Sequence, residues 1–150
     1  LGLRRYGSLG CFLGRWGTRS VREEAREILA SVGLADLASR RAGLLPLGNL
    51  RRLELARALA LRPKLLLLDE TFSGLRAEEI RQMELHVRGV RDAGVGVLLI
   101  EHNMKVAMAL SERIVVLDHG RKLAEGTGAE VAADPRVVEA YLGKGASGHA

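Results

Sequence analysis

Two carboxylates stand directly after an aliphatic run near the middle of the sequence. The run Leu65 to Leu68 is followed by Asp69 and Glu70. One carboxylate can hold hydrated magnesium while its neighbour orients or deprotonates an attacking water, so the pair suits nucleotide hydrolysis. Four aliphatic residues followed by two acids is also a common string, and the alternative is two acids at the mouth of a loop. The pair by itself leaves both interpretations open.

A second polar pair, Glu101 and His102, follows the aliphatic run Val97 to Ile100. His102 could contact a ligand at the end of a strand, or it could hydrogen-bond the adjoining loop. The four histidines do not have the spacing of metal ligands. We expect the other three to be solvated, on the polar side of a helix, in a turn and in the tail: His86, His119 and His149.

A third candidate is the loop Leu45 to Asn49, which leads into a predicted helix. Free N–H groups and a partial positive charge make a helix N-terminus an anion site. Arg51 and Arg52 are predicted in the first turn, where they oppose the helix dipole. Their placement makes more sense if an anion docks there. The alternative is two solvated arginines on an exposed turn.

Helices that alternate with strands must position these groups, and capping and stop signals predict where the helices begin and end. The predicted helices are residues 20–33, with a capping box of Ser20 and Glu23 and a stop at Gly33; a short piece over 34–41; residues 50–61, capped by Asn49 and ended before Pro63; residues 76–92, ended at Gly94; residues 103–110, capped by Asn103; and two more that begin at the capping box of Thr127 and Glu130 and at Asp134-Pro135.

Two of the predicted strands, Leu65 to Leu68 and Val95 to Ile100, are apolar without alternation. Such strands are predicted to be buried on both faces, as in a parallel sheet. A third strand is predicted at Arg113 to Leu117, and a turn at residues 118–120 leads to a short strand at Arg121 to Ala124. The order predicts an α/β chain with a mostly parallel sheet. Ligands of such sheets bind beyond the carboxyl ends of the strands, where both polar pairs lie.

The order of these features resembles the carboxyl-terminal part of the ATP-binding subunit of ABC transporters. In that family a signature loop, a Walker B strand, a D-loop and a switch histidine follow one another, and about residues 22–143 match. The resemblance implies a partial P-loop NTPase fold with an α-helical subdomain segment at the amino-terminal side. Three strings make the ATPases of branched-chain amino-acid importers the most similar members: Ile100 to Lys105, Arg113 to Gly120 and Asp134 to Gly143.

The resemblance also implies catalytic roles. Asp69 would help to hold magnesium through water, and Glu70 would polarise the attacking water. His102, 32 residues beyond Glu70, would contact the γ-phosphate. ATP and Mg²⁺ are therefore the implied cofactors.

The remaining implied roles belong to an assembly. Gly48 and Asn49 would approach the γ-phosphate of a nucleotide held mainly by a second ATP-binding subunit, in a homodimer or heterodimer. Ser73 and Gly74 would pass information across that dimer. Transmembrane permease subunits would be the other partners. The implied location is cytoplasmic, peripheral on the inner face of the cell membrane.

Four positions depart from the family pattern. Pro46 stands in place of the signature serine, Asn49 in place of a glutamine, Thr71 in place of a proline, and Arg76 in place of a D-loop aspartate or asparagine. Pro46 and Arg76 matter most, since both would sit at the composite nucleotide site and Pro46 offers neither a hydroxyl nor an N–H. They favour the alternative of a degenerate, non-catalytic module that pairs with an intact ATPase subunit or a permease.

The sequence does not contain a Walker A loop. Such a loop needs a glycine, four residues, then Gly-Lys-Ser/Thr. The only Gly-Lys pair, Gly143-Lys144, has Val138 and Gly145 at the other two positions. The first interpretation is therefore an amino-terminally incomplete ATP-binding subunit, which we expect neither to bind nor to hydrolyse ATP appreciably by itself.

Composition limits the other function classes. The net charge is +5, but residues 1–22 contain five arginines and no acid, so the other 18 of the 23 basic residues balance the 18 acidic ones. This balance argues against a broad phosphate-binding surface, and no nucleic acid is expected as a partner. The single Cys11 excludes a disulfide within these 150 residues and a cysteine-built zinc site.

Four parts are predicted along the chain. Residues 1–19 form an irregular, basic, Gly-rich segment, and residues 20–48 form a helical-subdomain portion that leads to the signature loop. Residues 49–124 form the α/β core with the Walker B, D-loop and switch-histidine strands. Residues 125–150 form the carboxyl-terminal helices and the tail.

Overall fold

The computed structural model describes residues 21–141 of the 150-residue chain. The predicted irregular segment 1–19, the predicted cap Ser20, residue 142 and the predicted tail 143–150 with His149 lie outside the described residues. The described residues divide into two compact units, one that ends at Ile100 and one that begins at Glu101. The four-part division made from the sequence stays a prediction.

The first unit alternates helices and strands largely as predicted. Gly33 takes a φ of +71°, which ends the first helix at the predicted stop. Met83, Val87 and Val90 are spaced four and three residues apart, so they share one side of a helix, and all three are buried. The elements are α1 (Val21–Ser31), 3-10 turns at Ala35–Leu37 and Ala42–Leu44, α2 (Leu47–Ala60), β1 (Leu65–Asp69), α3 (Ala77–Asp92) and β2 (Gly96–Ile100).

Helix α2 begins earlier than predicted, and Asn49 is not its cap. The residue before the helix is Pro46, whose carbonyl oxygen accepts hydrogen bonds of 3.0 Å from the N–H groups of Asn49 and Leu50. Proline suits this position because its fixed φ fits a helix start and no N–H is needed there. Arg51 and Arg52 consequently lie in the second turn, beyond the part of the helix where the dipole acts most strongly.

Strands β1 and β2 pair in parallel, with Leu66 opposite Val97 and Leu68 opposite Leu99. The prediction that both strands are buried on two faces is wrong for the described residues, since exposure alternates along β1. Helix α3 packs against β2, and Leu66 and Leu68 are buried. No described residue covers the opposite face, where the exposed fractions are 55% for Leu65, 62% for Leu67, 51% for Leu98 and 53% for Ile100.

The second unit is built on an antiparallel pair of strands. Positive φ values at His119 and Gly120, +47° and +76°, turn the chain between them as in a type I′ hairpin. Its core consists of Ile114, Val116, Ala124, Val131 and Val137. The elements are α4 (Met104–Leu110), β3 (Ile114–Asp118), β4 (Arg121–Gly126), α5 (Gly128–Ala133) and α6 (Pro135–Tyr141).

Two predicted caps of the second unit are confirmed. The Asn103 side chain accepts a 3.1 Å hydrogen bond from the Lys105 N–H at the start of α4. Thr127 and Glu130 form the reciprocal capping box at α5, with hydrogen bonds of 3.3 Å and 2.7 Å to each other's N–H groups. These local signals fixed the helix starts because the side chains satisfy N–H groups that the helix itself leaves open.

The α/β class is confirmed. The parallel pairing lies between β1 and β2, while β3 and β4 form a separate antiparallel sheet. Within residues 21–141, no helix is long and apolar enough to cross a bilayer.

Candidate functional site

The two acidic residues after the aliphatic run lie at the end of β1. Asp69 is the last residue of the strand and Glu70 the first residue beyond it, and both are exposed. Glu70 has a φ of +46°, in the left-handed region that non-glycine residues rarely adopt and that occurs often at functional sites. Its N–H donates to the Ile100 carbonyl oxygen at 2.9 Å, and its carbonyl accepts from the Ser73 N–H at 3.0 Å. The backbone of Glu70 is therefore held on both sides.

The loop after β1 is anchored by two buried residues. Thr71 is 9% exposed and Phe72 is 3% exposed, whereas Ser73 and Gly74 lie at the surface. Gly74 has a φ of +76°, which glycine adopts without a steric penalty. The two buried residues thus hold the loop in place, with Ser73 and Gly74 exposed beside them.

The start of α2 lies against this loop. A Cβ atom added to Gly74 would be 3.0 Å from the Cδ2 atom of Leu47. A Cβ atom added to Gly48 would be 2.5 Å from the Oε1 atom of Glu79, in the first turn of α3. The structure therefore brings the predicted signature residue Gly48 and the predicted D-loop residue Gly74 to one place, although they are far apart in sequence.

Glu79 is a residue of this site that the sequence analysis missed. Its carboxylate accepts a 2.9 Å hydrogen bond from the Arg76 N–H and two of 3.4 Å from the Arg76 guanidinium. The bond from the Arg76 N–H, followed by the bonds from its side chain, holds the pKa of Glu79 below its usual range. A carboxylate three residues after a helix N-cap is a known sequence signal, but the unusual arginine at the N-cap obscured it.

Asn49 is held from the second turn of its own helix. Its Oδ1 atom accepts a hydrogen bond from the Arg52 guanidinium. Arg52 also approaches the turn that follows α1, since its Nη1 atom would be 3.2 Å from a Cβ atom added to Gly33. Burial lowers the pKa of Arg52, and the charge of Glu79 acts in the opposite direction. The interpretation of Arg52 as a solvated arginine is therefore wrong.

His86 was expected to be solvated, and this expectation is also wrong. Its Nδ1 atom is buried without a hydrogen-bond partner among the described residues. Burial lowers the pKa of His86 to about 4, and the charge of Arg52 adds to that effect. The spacing contained the signal, because His86 follows the buried Met83 by three positions and precedes Val87.

His102 is exposed and lies two residues beyond β2, at the start of the second unit. Its contact with a phosphate beside Glu70 therefore stays a prediction. Among residues 21–141 there is no group of three or more His, Cys, Asp or Glu side chains that could hold a metal ion by itself. Asp69 and Glu70 offer hard oxygen donors of the kind that Mg²⁺ prefers, and Mg²⁺ commonly uses one or two carboxylates together with water and phosphate oxygens.

Two family models match the sequence. The model described as ABC transporter matches residues 11–73. The model described as branched-chain amino acid ATP-binding cassette transporter matches residues 121–147. The first match includes Gly48, Asn49, Asp69, Glu70 and Ser73.

The curated relatives include two proteins of branched-chain amino-acid transport. The high-affinity branched-chain amino acid transport ATP-binding protein BraF of Pseudomonas aeruginosa is 41% identical over 131 residues, 87% of this chain and 51% of BraF. LivG of Escherichia coli K12, described in the same words, is 37% identical over 143 residues, 90% of this chain and 56% of LivG. The lipopolysaccharide export system ATP-binding protein LptB of Acidithiobacillus ferridurans is 35% identical over 121 residues. The chain spans about half the length of the curated relatives it matches.

Two solved structures are similar to this chain over about the same share of its length as the curated relatives. The ADP conformation of MJ1267, an ATP-binding cassette of an ABC transporter, matches with a TM-score of 0.76 at 30% identity, over 89% of this chain and 55% of that chain. A nucleotide-free ATP-binding cassette from an ABC transporter matches with a TM-score of 0.75 at 30% identity, over 87% of this chain and 54% of that one.

Proposed function

The chain belongs to the ATP-binding proteins of ABC transporters, and on that premise we propose that it supplies the water-activating and magnesium-holding part of an ATP site. The family resemblance read from the sequence, including its partial ABC ATPase fold, is confirmed. One observation carries the proposal. Glu70, directly after the aliphatic strand, has a left-handed backbone fixed by hydrogen bonds to Ile100 and Ser73.

The carboxylates of Asp69 and Glu70 would have different roles in hydrolysis. Asp69 would hold Mg²⁺ through water, and the ion when bound would neutralise charge on the phosphates. Glu70 would orient the attacking water and accept its proton. A fixed backbone favours this role, because a general base acts only within hydrogen-bond reach of the proton that it takes.

The start of α2 would face the nucleotide of a partner subunit. No side chain caps this helix start, and open N–H groups at a helix N-terminus favour an anion. Gly48 and Asn49 would approach the γ-phosphate there, and His102 would contact the γ-phosphate on its own subunit. Ser73 and Gly74, exposed on the anchored loop, would carry information between the subunits.

Similarity to BraF and LivG, together with the branched-chain family match at residues 121–147, supports an importer of branched-chain amino acids. We propose transmembrane permease subunits and a second ATP-binding subunit as partners. The proposed location is the cytoplasmic face of the membrane. Because the 150 residues contain no Gly-x4-Gly-Lys-Ser/Thr string, ATP turnover requires a phosphate-binding loop from outside them.

The test uses a fusion protein in which a segment with a Gly-x4-Gly-Lys-Ser/Thr loop, taken from an active ATP-binding protein of this family, precedes this chain. We expect the fusion protein to hydrolyse ATP, and Glu70→Gln to reduce turnover at least about 100-fold while ATP binding remains. Glu139→Gln, which changes an exposed carboxylate of α6, is the matched control and should leave turnover unchanged. Full turnover by Glu70→Gln would reject Glu70 as the base.

A second candidate function is a non-catalytic module that pairs with an intact ATPase subunit. Pro46 at the start of α2 and Arg76 before α3 favour it, because neither is the usual family residue at the composite site. The same fusion protein separates the two candidates. A fusion protein that binds ATP without turning it over would support the module, and robust turnover would exclude it.

A further inference from the structure

The first turn of α3 carries a carboxylate that contacts both parts of the candidate site. We propose that Glu79 is a positioning residue, which locks the start of α2 to the loop after β1 and so fixes Gly48 and Asn49 relative to Glu70. The inference rests on the proposed function for its catalytic consequence. Its structural part concerns only contacts within the first unit.

The contact with Gly48 leaves no space for a side chain while the Glu79 carboxylate keeps its position. An added Cβ atom would lie 2.5 Å from Oε1, 2.8 Å from Cδ and 3.1 Å from Cγ of Glu79. Gly48 itself is buried. The side chain of Glu79 is 24% exposed, so the carboxylate lies partly between the two helices. The absence of a side chain at Gly48 is thus what lets the helix start approach this carboxylate.

Arg76 holds the carboxylate in that position. Its N–H gives the shortest of the three hydrogen bonds, at 2.9 Å, and depends only on the main chain. The guanidinium adds two bonds of 3.4 Å, although the Arg76 side chain is 84% exposed. At a position where the family usually has aspartate or asparagine, this arginine is engaged by Glu79 instead of standing as an isolated positive charge.

Arg52, which holds Asn49, also lies within electrostatic reach of Glu79. The negative charge of Glu79 attracts Arg52, and Arg52 donates to the Oδ1 atom of Asn49. Removal of the charge at residue 79 should therefore loosen the hold on the Asn49 amide. Removal of the whole side chain should also leave a space beside Gly48, which a methyl group at residue 48 would fill.

A purely structural role for Glu79, as part of the α3 N-terminus, would have different consequences. If Glu79 acted only in this way, its removal would lower the stability of α3 without changing the environment of Gly48. Glu78 offers the matched control, because it is a first-turn carboxylate of the same helix whose partners are Arg81 and Gln82 on the exposed surface.

The structural test uses the 150-residue chain and a size exchange between residues 48 and 79. We expect Gly48→Ala to accelerate hydrogen exchange of the Asn49 and Leu50 amides about tenfold, since the new methyl group and the Glu79 carboxylate cannot both keep their positions. The double variant Gly48→Ala/Glu79→Ala should recover most of that protection, whereas Gly48→Ala/Glu78→Ala should not. Equal exchange in the two double variants would overturn the contact on which the inference rests.

The catalytic test uses the same fusion protein as the test of the proposed function. Glu79→Ala should lower kcat about 10- to 100-fold with KM for ATP within about twofold, because misplacement of a group by about 1 Å costs up to about 100-fold. Glu79→Gln, which keeps the shape, should recover part of the loss, and Glu78→Ala should stay within twofold of the parent protein. An unchanged kcat for Glu79→Ala would overturn the positioning role. A parent fusion protein without turnover would instead reject the proposed function, and the exchange result would then decide the structural part alone.

Discussion

The N–H of Glu70 donates a hydrogen bond to the carbonyl oxygen of Ile100, so the first residue after β1 is tied to the last residue of β2. The bond belongs to the main chain and does not depend on the glutamate side chain. Substitution at residue 70 can therefore remove the carboxylate while the geometry of the loop is kept. This separation makes the site suitable for mutational tests.

Substitutions at residue 70 should change the free energy of unfolding according to how well the new residue tolerates the backbone conformation there. We expect Glu70→Gly to be about 1 kcal/mol more stable than Glu70→Ala, because a Cβ atom is penalised at a positive φ. Both variants lack the carboxylate, and both should lose ATP turnover in the fusion protein. Urea unfolding of the two 150-residue variants measures the difference. Identical midpoints would contradict a strained backbone at this residue.

Neighbouring leucines of β1 should differ sharply in their contribution to stability. Leu66 is buried and Leu67 is exposed on the opposite face. We expect Leu66→Ala to lower the free energy of unfolding by about 2–5 kcal/mol, because it leaves a cavity. Leu67→Ala should cost less than about 1 kcal/mol. Chemical denaturation of the pair measures both, and equal losses would show that a further layer covers Leu67 in solution.

The buried His86 should make stability depend on pH. Its pKa is about 4 in the folded chain and about 6.5 when unfolded, so the unfolded chain binds the proton first as the pH falls. The contribution of neutral His86 to the free energy of unfolding is therefore complete above about pH 6.5. It is lost as the pH falls from about 6.5 to 4, by up to about 3 kcal/mol.

His86→Leu should remove this part of the pH dependence, while His119→Gln, at an exposed turn residue, should retain it. Urea midpoints recorded between pH 4 and pH 7 compare the three proteins. A His86→Leu profile parallel to that of the parent protein would mean that the imidazole is hydrated in the folded chain.

Two asparagines with the same predicted capping role should respond differently to removal. Asn103 accepts a hydrogen bond from the Lys105 N–H, whereas Asn49 accepts one from the Arg52 side chain. We expect Asn103→Ala to cost about 1 kcal/mol of stability through loss of the cap. Asn49→Ala should cost less than half of that amount. Thermal unfolding followed by circular dichroism compares the two, and a larger loss at Asn49 would place the start of α2 at that residue.

Local signals in the sequence were sufficient for most helix boundaries. The capping box of Thr127 and Glu130, the cap at Asn103 and the stop at Gly33 all act within a few residues, so their effect can be read without knowledge of the fold. The same holds for the spacing of Met83, Val87 and Val90, which marks one side of α3. The position of Glu70 after β1 also followed from the order of residue types.

Contacts between distant segments could not be predicted in this way. The approach of Glu79 to Gly48 depends on how α2 and α3 pack, and no local pattern records it. Burial of His86 depends on its neighbours Arg52 and Ser31 from other helices. Asparagine favours the N-cap position, which predicts Asn49 as a cap, but Pro46 already provides a conformation that begins the helix.

The row of exposed aliphatic side chains on the β1–β2 sheet also affects how the protein can be studied. Leu65, Leu67, Leu98 and Ile100 offer a contiguous apolar surface in the folded state. Dyes that fluoresce in apolar surroundings should therefore bind before any unfolding, so that a dye-based melting curve starts from a high baseline and understates the transition. Backbone signals such as circular dichroism avoid this error, and the early dye signal itself measures how much of that surface is open.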